Sequence, residues 1–315
     1  MRILITGAAG NLGSFLAREL LPGPHHLRLL VHNRDLRYSV AEYNHVSVCR
    51  ADLGNPASLA PVCRDVDCIV HFAGVLFAPR PEQFLPTTNL GYVQNLVAAA
   101  SAVRVGKFIL ISFPHVEGET FPDQPATDRI DRQPDSIHAQ TRLAAERHVL
   151  AACRAGNTVP VVLRAGMIYG RGVLMIEAAR WLLRHRLMAV WSDPTWEHLL
   201  ALPDFLQAVI RAAEGSQVSG IYNVADDQPL TLQEFLDTIA AHWGYPKPWR
   251  CPRWMFPIAA AACEGFASTF GTKSPLTRDF IRIGMASSVA DTSRMKRELL
   301  PQLAYPSLHT GLALL

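Results

Sequence analysis

Three glycines near the N-terminus have a spacing that suits the binding of a diphosphate. Gly7, Gly10 and Gly13 follow the apolar run Arg2–Thr6 and open a segment with apolar residues at helical spacing. A strand, a tight turn and a helix in this order are the context that a dinucleotide-binding loop requires, and the helix N-terminus attracts the phosphates. An ordinary strand-to-helix turn is the alternative. We predict a dinucleotide site that includes Gly7, Gly10, Asn11, Leu12 and Gly13.

The end of the second predicted strand distinguishes between two dinucleotides. An acidic residue at this place accepts hydrogen bonds from the adenosine ribose, whereas a basic residue suits a 2′-phosphate. Asn33 and Arg34 stand here, and an arginine pairs well with a phosphate. Asp35 leaves NAD open, and an exposed arginine in a polar loop is a structural alternative. The sequence therefore favours NADP over NAD as the cofactor.

Strands and helices alternate along the first part of the chain. Continuous apolar runs predict strands that are buried on both faces. The predicted strands are Arg2–Thr6, Leu27–Val31, Val46–Cys49, Cys68–Phe72, Lys107–Ser112 and Val159–Arg164, and one long helix is predicted over 83–103. We therefore expect an α/β fold with a Rossmann-type, doubly wound parallel sheet, whose ligands bind at the carboxyl ends of the strands.

The later part of the chain is less regular. Residues 1–165 are expected to form the dinucleotide-binding domain, with 201–225 returning to it. Residues 166–200 and 226–315 are expected to form a smaller, mostly helical substrate-binding region. Aromatic side chains in segments that could cover the crevice indicate an apolar or ring-shaped substrate. They are Phe77, Phe84, Trp181, Trp191, Trp196, Trp243, Trp249 and Trp254.

Composition argues against several classes of protein. The 30 Lys and Arg residues exceed the 27 Asp and Glu residues by only three, which is too few for a nucleic-acid-binding protein. The apolar stretches are shorter than the roughly 18 residues of a membrane span, and we expect no signal peptide before the first strand. We expect a cytoplasmic protein without a membrane partner. The six cysteines form no zinc-type pattern, so no metal site is expected.

Several motifs resemble those of the extended short-chain dehydrogenase/reductases, which include NAD-dependent epimerases, dehydratases and 3β-hydroxysteroid dehydrogenases. The glycine loop resembles their T-G-x-x-G-x-x-G element. Similar matches are Ala51-Asp52-Leu53, His71-Phe72-Ala73-Gly74, Asn89-Leu90-Gly91 and Arg164-Ala165-Gly166-Met167. The resemblance implies that the cofactor is contacted by Asp52, Leu53, Phe72, Ala73, Gly74, Asn89, Arg142 and Met167. It also favours a homodimer.

The resemblance also locates the catalytic residues, and there the chain departs from the family. The family uses a Tyr-x-x-x-Lys pair with a nearby Ser or Thr. An ungapped alignment of 136–147 puts His138 at the Tyr position and Arg142 at the Lys position, while Phe113 takes the hydroxyl position and Ser112 precedes it. A histidine can move protons near neutral pH, and an arginine one turn away can hold ribose or an oxyanion. Residues that could orient the histidine are Ser112, His115 and Glu117.

Three functions stay open at this point. The first is an oxidoreductase for a carbonyl or alcohol of an apolar small molecule, in which His138 moves the proton and Ser112 or Arg142 steadies the oxygen. The second is a non-catalytic NAD(P)-binding sensor or regulatory protein, because the catalytic pair has changed. The third is a non-redox isomerase, dehydratase or cyclase on the same fold. The sequence favours the first.

Overall fold

The structure is a computed structural model and describes residues 1–74, 80–270 and 276–315. In chain order the strands are β1 Arg2–Thr6, β2 His26–Val31, β3 Val46–Arg50, β4 Cys68–His71, β5 Lys107–Ser112, β6 Val159–Ala165, β7 Met167–Tyr169, β8 Ala189–Trp191, β9 Trp196–Glu197, β10 Leu199–Ala201, β11 Gly220–Val224, β12 Leu230–Thr231 and β13 Trp249–Cys251. The helices are α1 Asn11–Leu20, α2 Leu59–Cys63, α3 Pro81–Leu85, α4 Tyr92–Ala102, α5 Ile137–Ala155, α6 Leu174–Arg184, α7 Leu202–Glu214, α8 Leu232–His242, α9 Met255–Phe270, α10 Arg278–Met285, α11 Ser293–Glu298 and α12 Leu308–Gly311.

Within the described ranges, seven strands form one parallel sheet in the order β11-β6-β5-β4-β1-β2-β3. The strand order reverses beside β1, which lies between β2 and β4. At such a reversal the connections leave toward opposite faces, and a crevice opens at the carboxyl ends of the strands. The expected doubly wound α/β fold is confirmed, and the glycine loop lies at its switch point.

The sheet is buried on both faces because its strands are apolar at successive positions. Ile3 and Ile5 pack into the core on one face, whereas Leu4 between them packs into the core on the other. Helices α1 and α7 cover the first face, and α2, α4 and α5 cover the second. Burial on both faces explains why these strands are continuous apolar runs rather than alternating patterns.

The helix predicted over 83–103 is divided in the structure. α3 ends at Leu85, a π-helical segment runs over Pro86–Gly91, and α4 follows. Pro86 has no backbone N–H to donate, and the N–H of Tyr92 reaches the carbonyl of Thr87, five residues earlier. Wide turns of this kind are frequent at functional sites. Here the turn contains Asn89, a predicted cofactor residue.

The segments outside the main sheet combine helices with short strand pairs. β7 pairs with β10, β8 with β13 and β9 with β12. Helices α6 and α8–α12 supply most of the remaining regular structure. Among the residues that the structure describes, no helix combines the length and apolar character needed to cross a membrane.

A buried ion network links β6, α5 and the segment after β5. Arg164 is fully buried, with Nη2 2.6 Å from Oε2 of Glu146 on α5 and Nη1 2.5 Å from Oε1 of Glu117. Ser112 Oγ also donates to Glu146, and Glu117 accepts the backbone N–H of Arg129 at 3.0 Å. Buried charges persist when they are paired and hydrogen-bonded. The network therefore holds three segments in a fixed arrangement.

We expect Arg164→Met to lower the free energy of unfolding by about 3–5 kcal/mol, because it leaves two buried carboxylates without their cation. Equilibrium urea unfolding measures this difference. The matched control is Arg297→Met, which removes an exposed ion pair with Glu298 and is expected to cost less than about 1 kcal/mol. If both variants lost the same small amount of unfolding free energy, the buried network would not stabilise the fold as proposed.

Candidate active site

The glycine loop makes a tight turn and leaves the start of α1 open. Gly7 has a left-handed φ of +73°, and a Cβ on Gly13 would lie 2.3 Å from the Gly7 carbonyl oxygen. Gly10 is the N-cap of α1 and makes no side-chain capping bond. The first N–H groups of a helix bind anions well when no side chain occupies them. The loop therefore has the geometry for a diphosphate.

The side chain of Asn11 ties this loop to the segment after β7. Its Nδ2 donates to the carbonyl of Gly172 at 2.8 Å, and its Oδ1 accepts the N–H of Leu174 at 2.9 Å. Leu12 is half-buried and packs against the core. The Asn11 amide is thus used within the protein, so Asn11 and Leu12 can offer a ligand only their backbone N–H groups.

Basic side chains gather at the ends of β2 and β3. Asn33 and Arg34 are exposed just after β2. Arg50, which the sequence analysis did not identify, has Nη2 2.5 Å from Oδ1 of Asp35, and its Nη1 donates to the His32 carbonyl. The parallel register of β3 with β2 brings Arg50 here, and no local motif indicates it. The carboxylate that left NAD open is therefore already paired.

Asp52 and Leu53 form the next turn of the crevice, beyond β3. Oδ1 of Asp52 accepts the N–H of Gly54 at 2.8 Å, and its side chain remains 47% exposed. Leu53 is buried, and its carbonyl accepts Nδ2 of Asn95 on α4 at 2.8 Å. Helix α4 thus holds this turn, which leaves the Asp52 carboxylate accessible to a ligand.

The segment after β4 lies against both the glycine loop and α5. A Cβ on Gly7 would lie 3.0 Å from the backbone nitrogen of Ala73, so the two turns are in contact. Phe72 is half-buried and meets a phenylalanine ring of α7 edge-on, with centroids 6.1 Å apart. A Cβ on Gly74 would lie 3.3 Å from Nη2 of Arg142. The end of β4 therefore joins the predicted cofactor loop to the predicted catalytic helix.

Arg142 is buried beside this strand end. Its Nη2 donates to Oδ1 of Asn89 at 3.2 Å, and Nδ2 of Asn89 donates to Oγ1 of Thr141 at 3.0 Å. Burial lowers the pKa of Arg142 to about 10, so the guanidinium stays charged at neutral pH. Its Nε is buried and has no partner in the described part of the chain. An unsatisfied buried donor is costly, and a ligand hydroxyl would relieve that cost.

Helix α5 begins one residue before His138, and polar groups hold that beginning in place. Oγ of Ser136 accepts the N–H of Ala139 at 3.0 Å. The carboxylate of Asp279 on α10 accepts the N–H groups of Ile137 and His138 at 2.9 and 3.4 Å. Side-chain acceptors of this kind satisfy helix N–H groups that otherwise lack partners. The two caps fix the backbone that carries the His138 side chain.

The imidazole of His138 lies in an apolar and cationic environment. Its ring centroid is 5.3 Å from that of Phe113, with the planes tilted by 34°. Burial lowers the pKa of His138 to about 3, and the nearby Arg142 and His115 contribute in the same direction. The imidazole is therefore neutral at physiological pH. A neutral imidazole has one nitrogen that donates a hydrogen bond and one that accepts.

The structure does not bring Ser112 to His138, in contrast to the sequence expectation. Ser112 Oγ donates to Glu146 in the buried network, and Glu117 binds Arg164 there. Adjacent residues of an extended segment point in opposite directions, so Phe113 rather than Ser112 faces the imidazole. Neither Ser112 nor Glu117 is therefore placed to act on a substrate oxygen or to orient the histidine.

The other residues predicted to contact the cofactor or the substrate differ in how deeply they are buried. Met167 is half-buried at the start of β7, where its N–H donates to the carbonyl of His198 at 2.8 Å. Trp191 is buried in the core. Half-buried aromatic residues are Phe84, Trp196 and Trp243, exposed ones are Trp181, Trp249 and Trp254, and Phe77 lies outside the described residues. The exposed tryptophans depart from the expected cover of the crevice, because sequence alone does not distinguish a crevice from the outer surface.

Residues 3–225 match the NAD dependent epimerase/dehydratase family. The 2-alkyl-3-oxoalkanoate reductase of Stenotrophomonas maltophilia is 29% identical over 259 residues, 78% of this chain and 77% of the reductase. The 3-diazoavenalumate denitrifying reductase of a Streptomyces species is 27% identical over 269 residues, 82% and 86% of the two chains. A structure of UDP-glucuronic acid 4-epimerase from Bacillus cereus, with UDP-glucuronic acid and NAD, is 18% identical at a TM-score of 0.76 and covers 100% and 97%.

A parallel sheet with a glycine turn at its switch point defines a Rossmann-type α/β protein. The chain belongs to the NAD dependent epimerase/dehydratase family, within the extended short-chain dehydrogenase/reductases. The resemblance seen in the sequence is thus confirmed. The residues present also fit a dinucleotide, because the start of α1 is uncapped and the buried Nε of Arg142 lacks a partner in the described chain.

We expect Gly13→Ala to weaken dinucleotide binding at least about tenfold, because the new Cβ would displace the Gly7 carbonyl. Calorimetric titration with NADH and NADPH measures the affinity, and circular dichroism checks folding. Gly265→Ala is the control, since open space surrounds that position on α9. Wild-type affinity in a folded Gly13→Ala variant would show that the loop does not hold the dinucleotide.

The neutral state of His138 predicts a pH dependence of stability. Its pKa is about 3 in the folded chain and 6.5 ordinarily, so the unfolded chain takes up the proton first as the pH falls. The contribution of His138 is therefore complete above pH 6.5 and declines toward pH 3, by up to about 1.4 kcal/mol per pH unit. His138→Phe should gain stability relative to wild type between about pH 6 and 4 in urea unfolding. A difference that does not change with pH would refute the neutral assignment.

Proposed function

We propose that this protein is an NAD(P)-dependent oxidoreductase that acts on a carbonyl or alcohol group of an apolar small molecule. The observation that carries the proposal is the position of Arg142. It is a buried guanidinium with an unpartnered Nε, beside Gly74 at the end of β4 and one turn from His138. Membership of an NAD-dependent family supports a dinucleotide at this crevice. When bound, its nicotinamide supplies or accepts a hydride.

The chain supplies the proton and the electrostatic stabilisation in this proposal. In the oxidation direction, neutral His138 accepts the proton of the alcohol and becomes an imidazolium, which then releases the proton to solvent. In the reduction direction, the imidazolium form of His138 gives its proton to the carbonyl oxygen, and the neutral imidazole that remains takes up a new proton from solvent. Arg142 cannot relay protons at neutral pH, but its fixed charge stabilises a negative oxygen and can hold ribose hydroxyls. Asn89 orients the guanidinium through the 3.2 Å hydrogen bond.

The surroundings of His138 support an apolar substrate. Phe113 presents a ring at the position where the family carries a hydroxyl, so the imidazole faces an apolar surface. The reductase of Stenotrophomonas maltophilia is named for a 3-oxo substrate with alkyl chains, which is a ketone of this class. A 2-alkyl-3-oxoalkanoate is therefore the first probe to test, in place of a sugar nucleotide.

We also propose that NADP is preferred over NAD. Arg34 is exposed just after β2 and makes no hydrogen bond in the described part of the chain, so it can pair with a 2′-phosphate. Asp35 could accept hydrogen bonds from the ribose hydroxyls of NAD. Its carboxylate is already paired with Arg50, whose Nη2 lies 2.5 Å from Oδ1 of Asp35. The ion pair brings a second guanidinium, that of Arg50, close to the end of β2, which supports the preference.

A second candidate is dinucleotide binding without turnover. Phe113 favours it, because the ring removes a hydroxyl donor from the substrate oxygen and packs against the imidazole. The two candidates differ in what binding leads to. An oxidoreductase consumes reduced cofactor with a ketone, whereas a sensor binds the cofactor and leaves it unchanged.

Turnover of NADPH with 2-alkyl-3-oxoalkanoates tests the first proposal. We expect wild-type turnover and a drop in kcat of about 10²–10⁴ in His138→Phe, because proton transfer is lost. Calorimetry should give nearly unchanged cofactor affinity for this variant. His148→Phe, farther along α5 and half-buried, is the control and should keep wild-type kcat. Tight binding without turnover on a panel of apolar ketones would favour the sensor.

Arg34→Gln tests the cofactor preference. The Kd for NADPH should rise about tenfold, because a charge-assisted hydrogen bond to the 2′-phosphate is lost. The Kd for NADH should stay nearly the same, and Arg104→Gln on an exposed turn elsewhere should change neither. A parallel loss of affinity for both cofactors would argue against a 2′-phosphate contact.

A further inference from the structure

Helix α9 carries apolar side chains on two opposite faces. It is 16 residues long, or about 24 Å. Phe256, Ala260 and Ala267 pack toward the protein. On the other side, Met255 and Ile258 are 43% and 61% exposed. An apolar helix face is normally buried or in contact with lipid. The outer face of α9 is therefore a candidate surface for binding a partner.

Further exposed apolar side chains lie on β13, which precedes α9 in the chain, and at the end of α6. Trp249 on β13 is 65% exposed, and its Nε1 donates to the carbonyl of Arg186 at 3.1 Å. This bond places it at the end of α6, where Trp181 and Leu187 are 54% and 59% exposed. Trp254, just before α9, is 66% exposed. We name this surface the tryptophan face, made of Trp181, Leu187, Trp249, Trp254, Met255 and Ile258.

Positive charges flank the tryptophan face. They belong to the exposed side chains of Arg180, Arg184, Arg186 and Arg253. Arg180 lies over the ring of Trp243, and Arg253 donates to the carbonyl of Met285. In the described ranges none of these four arginines forms an ion pair, while Asp237 is engaged by Lys247 and Arg250. The rim of the face therefore carries an excess of positive charge.

We propose that the tryptophan face docks the protein onto the surface of an anionic lipid bilayer. Tryptophan rings favour the level of the lipid headgroups, and an apolar helix face can lie in that plane without crossing the membrane. Arginines beside it bind anionic headgroups. The proposal departs from the sequence expectation of no membrane partner, which considered spanning segments. It is independent of the proposed function.

A second copy of the chain is the competing occupant, and the charges disfavour it. In a two-fold dimer the same face meets itself. The arginines of both copies would then lie around one apolar patch, and like charges in such an interface are unfavourable. Anionic headgroups neutralise the same arginines. The charge pattern therefore favours lipid over self-association.

Co-sedimentation with vesicles tests the proposal on the full chain. Wild type should bind vesicles of phosphatidylcholine mixed with phosphatidylglycerol, more weakly at high salt and more weakly still with phosphatidylcholine alone. Ile258→Glu should lower the partition coefficient at least about tenfold, and Arg184→Gln combined with Arg186→Gln about tenfold. Tryptophan emission should shift to shorter wavelength on binding.

Val48→Glu is the matched control, because Val48 is 48% exposed on the edge strand β3, outside the tryptophan face. It should bind vesicles like wild type. Failure of wild type to bind the anionic vesicles would overturn the proposal, as would an equal loss in Val48→Glu. Light scattering of wild type and Ile258→Glu tests the competing occupant. A wild-type dimer that dissociates in Ile258→Glu would assign the tryptophan face to a second copy of the chain.

Discussion

The fully buried charge of Arg164 is the constraint on which the arrangement of the crevice depends. A buried guanidinium must be paired, and here the pairing draws Glu146 from α5 and Glu117 from beyond β5 to the end of β6. Since 138, 142 and 146 are spaced by one helical turn, the ion pair of Glu146 also sets which face of α5 meets the crevice. His138 and Arg142 occupy that face.

Burial then gives the two candidate catalytic groups different charge states. His138 is neutral at physiological pH because burial lowers its pKa to about 3, while Arg142 keeps its charge with a pKa of about 10. One face of a single helix thus presents a neutral imidazole and a cationic guanidinium. Asn89, in the wide turn before α4, holds the cation against the end of β4. The arrangement resembles the family's in position and differs from it in chemistry.

Local signals predicted the parts of the site that short segments build. The glycine loop and the strands depend on neighbouring residues, and both appear in the structure. Local signals did not determine which of Ser112 and Phe113 faces His138. An alignment places both near His138, but the direction of each side chain depends on the backbone between β5 and the following turn. Arg50 was missed because it lies at the end of β3, and only the pairing of β3 with β2 brings it to Asp35.

The sequence by itself determined the α/β alternation, the doubly wound sheet and the family, because apolar period, turn residues and motif spacing are properties of short stretches of chain. Tertiary structure alone decided which polar groups share a partner. It paired Ser112 with Glu146, tied Asn11 to Gly172, and left Trp249 and Trp254 on the surface. The physical reason is that hydrogen bonds, ion pairs and exposure depend on segments far apart in sequence, whose relative positions follow only from packing.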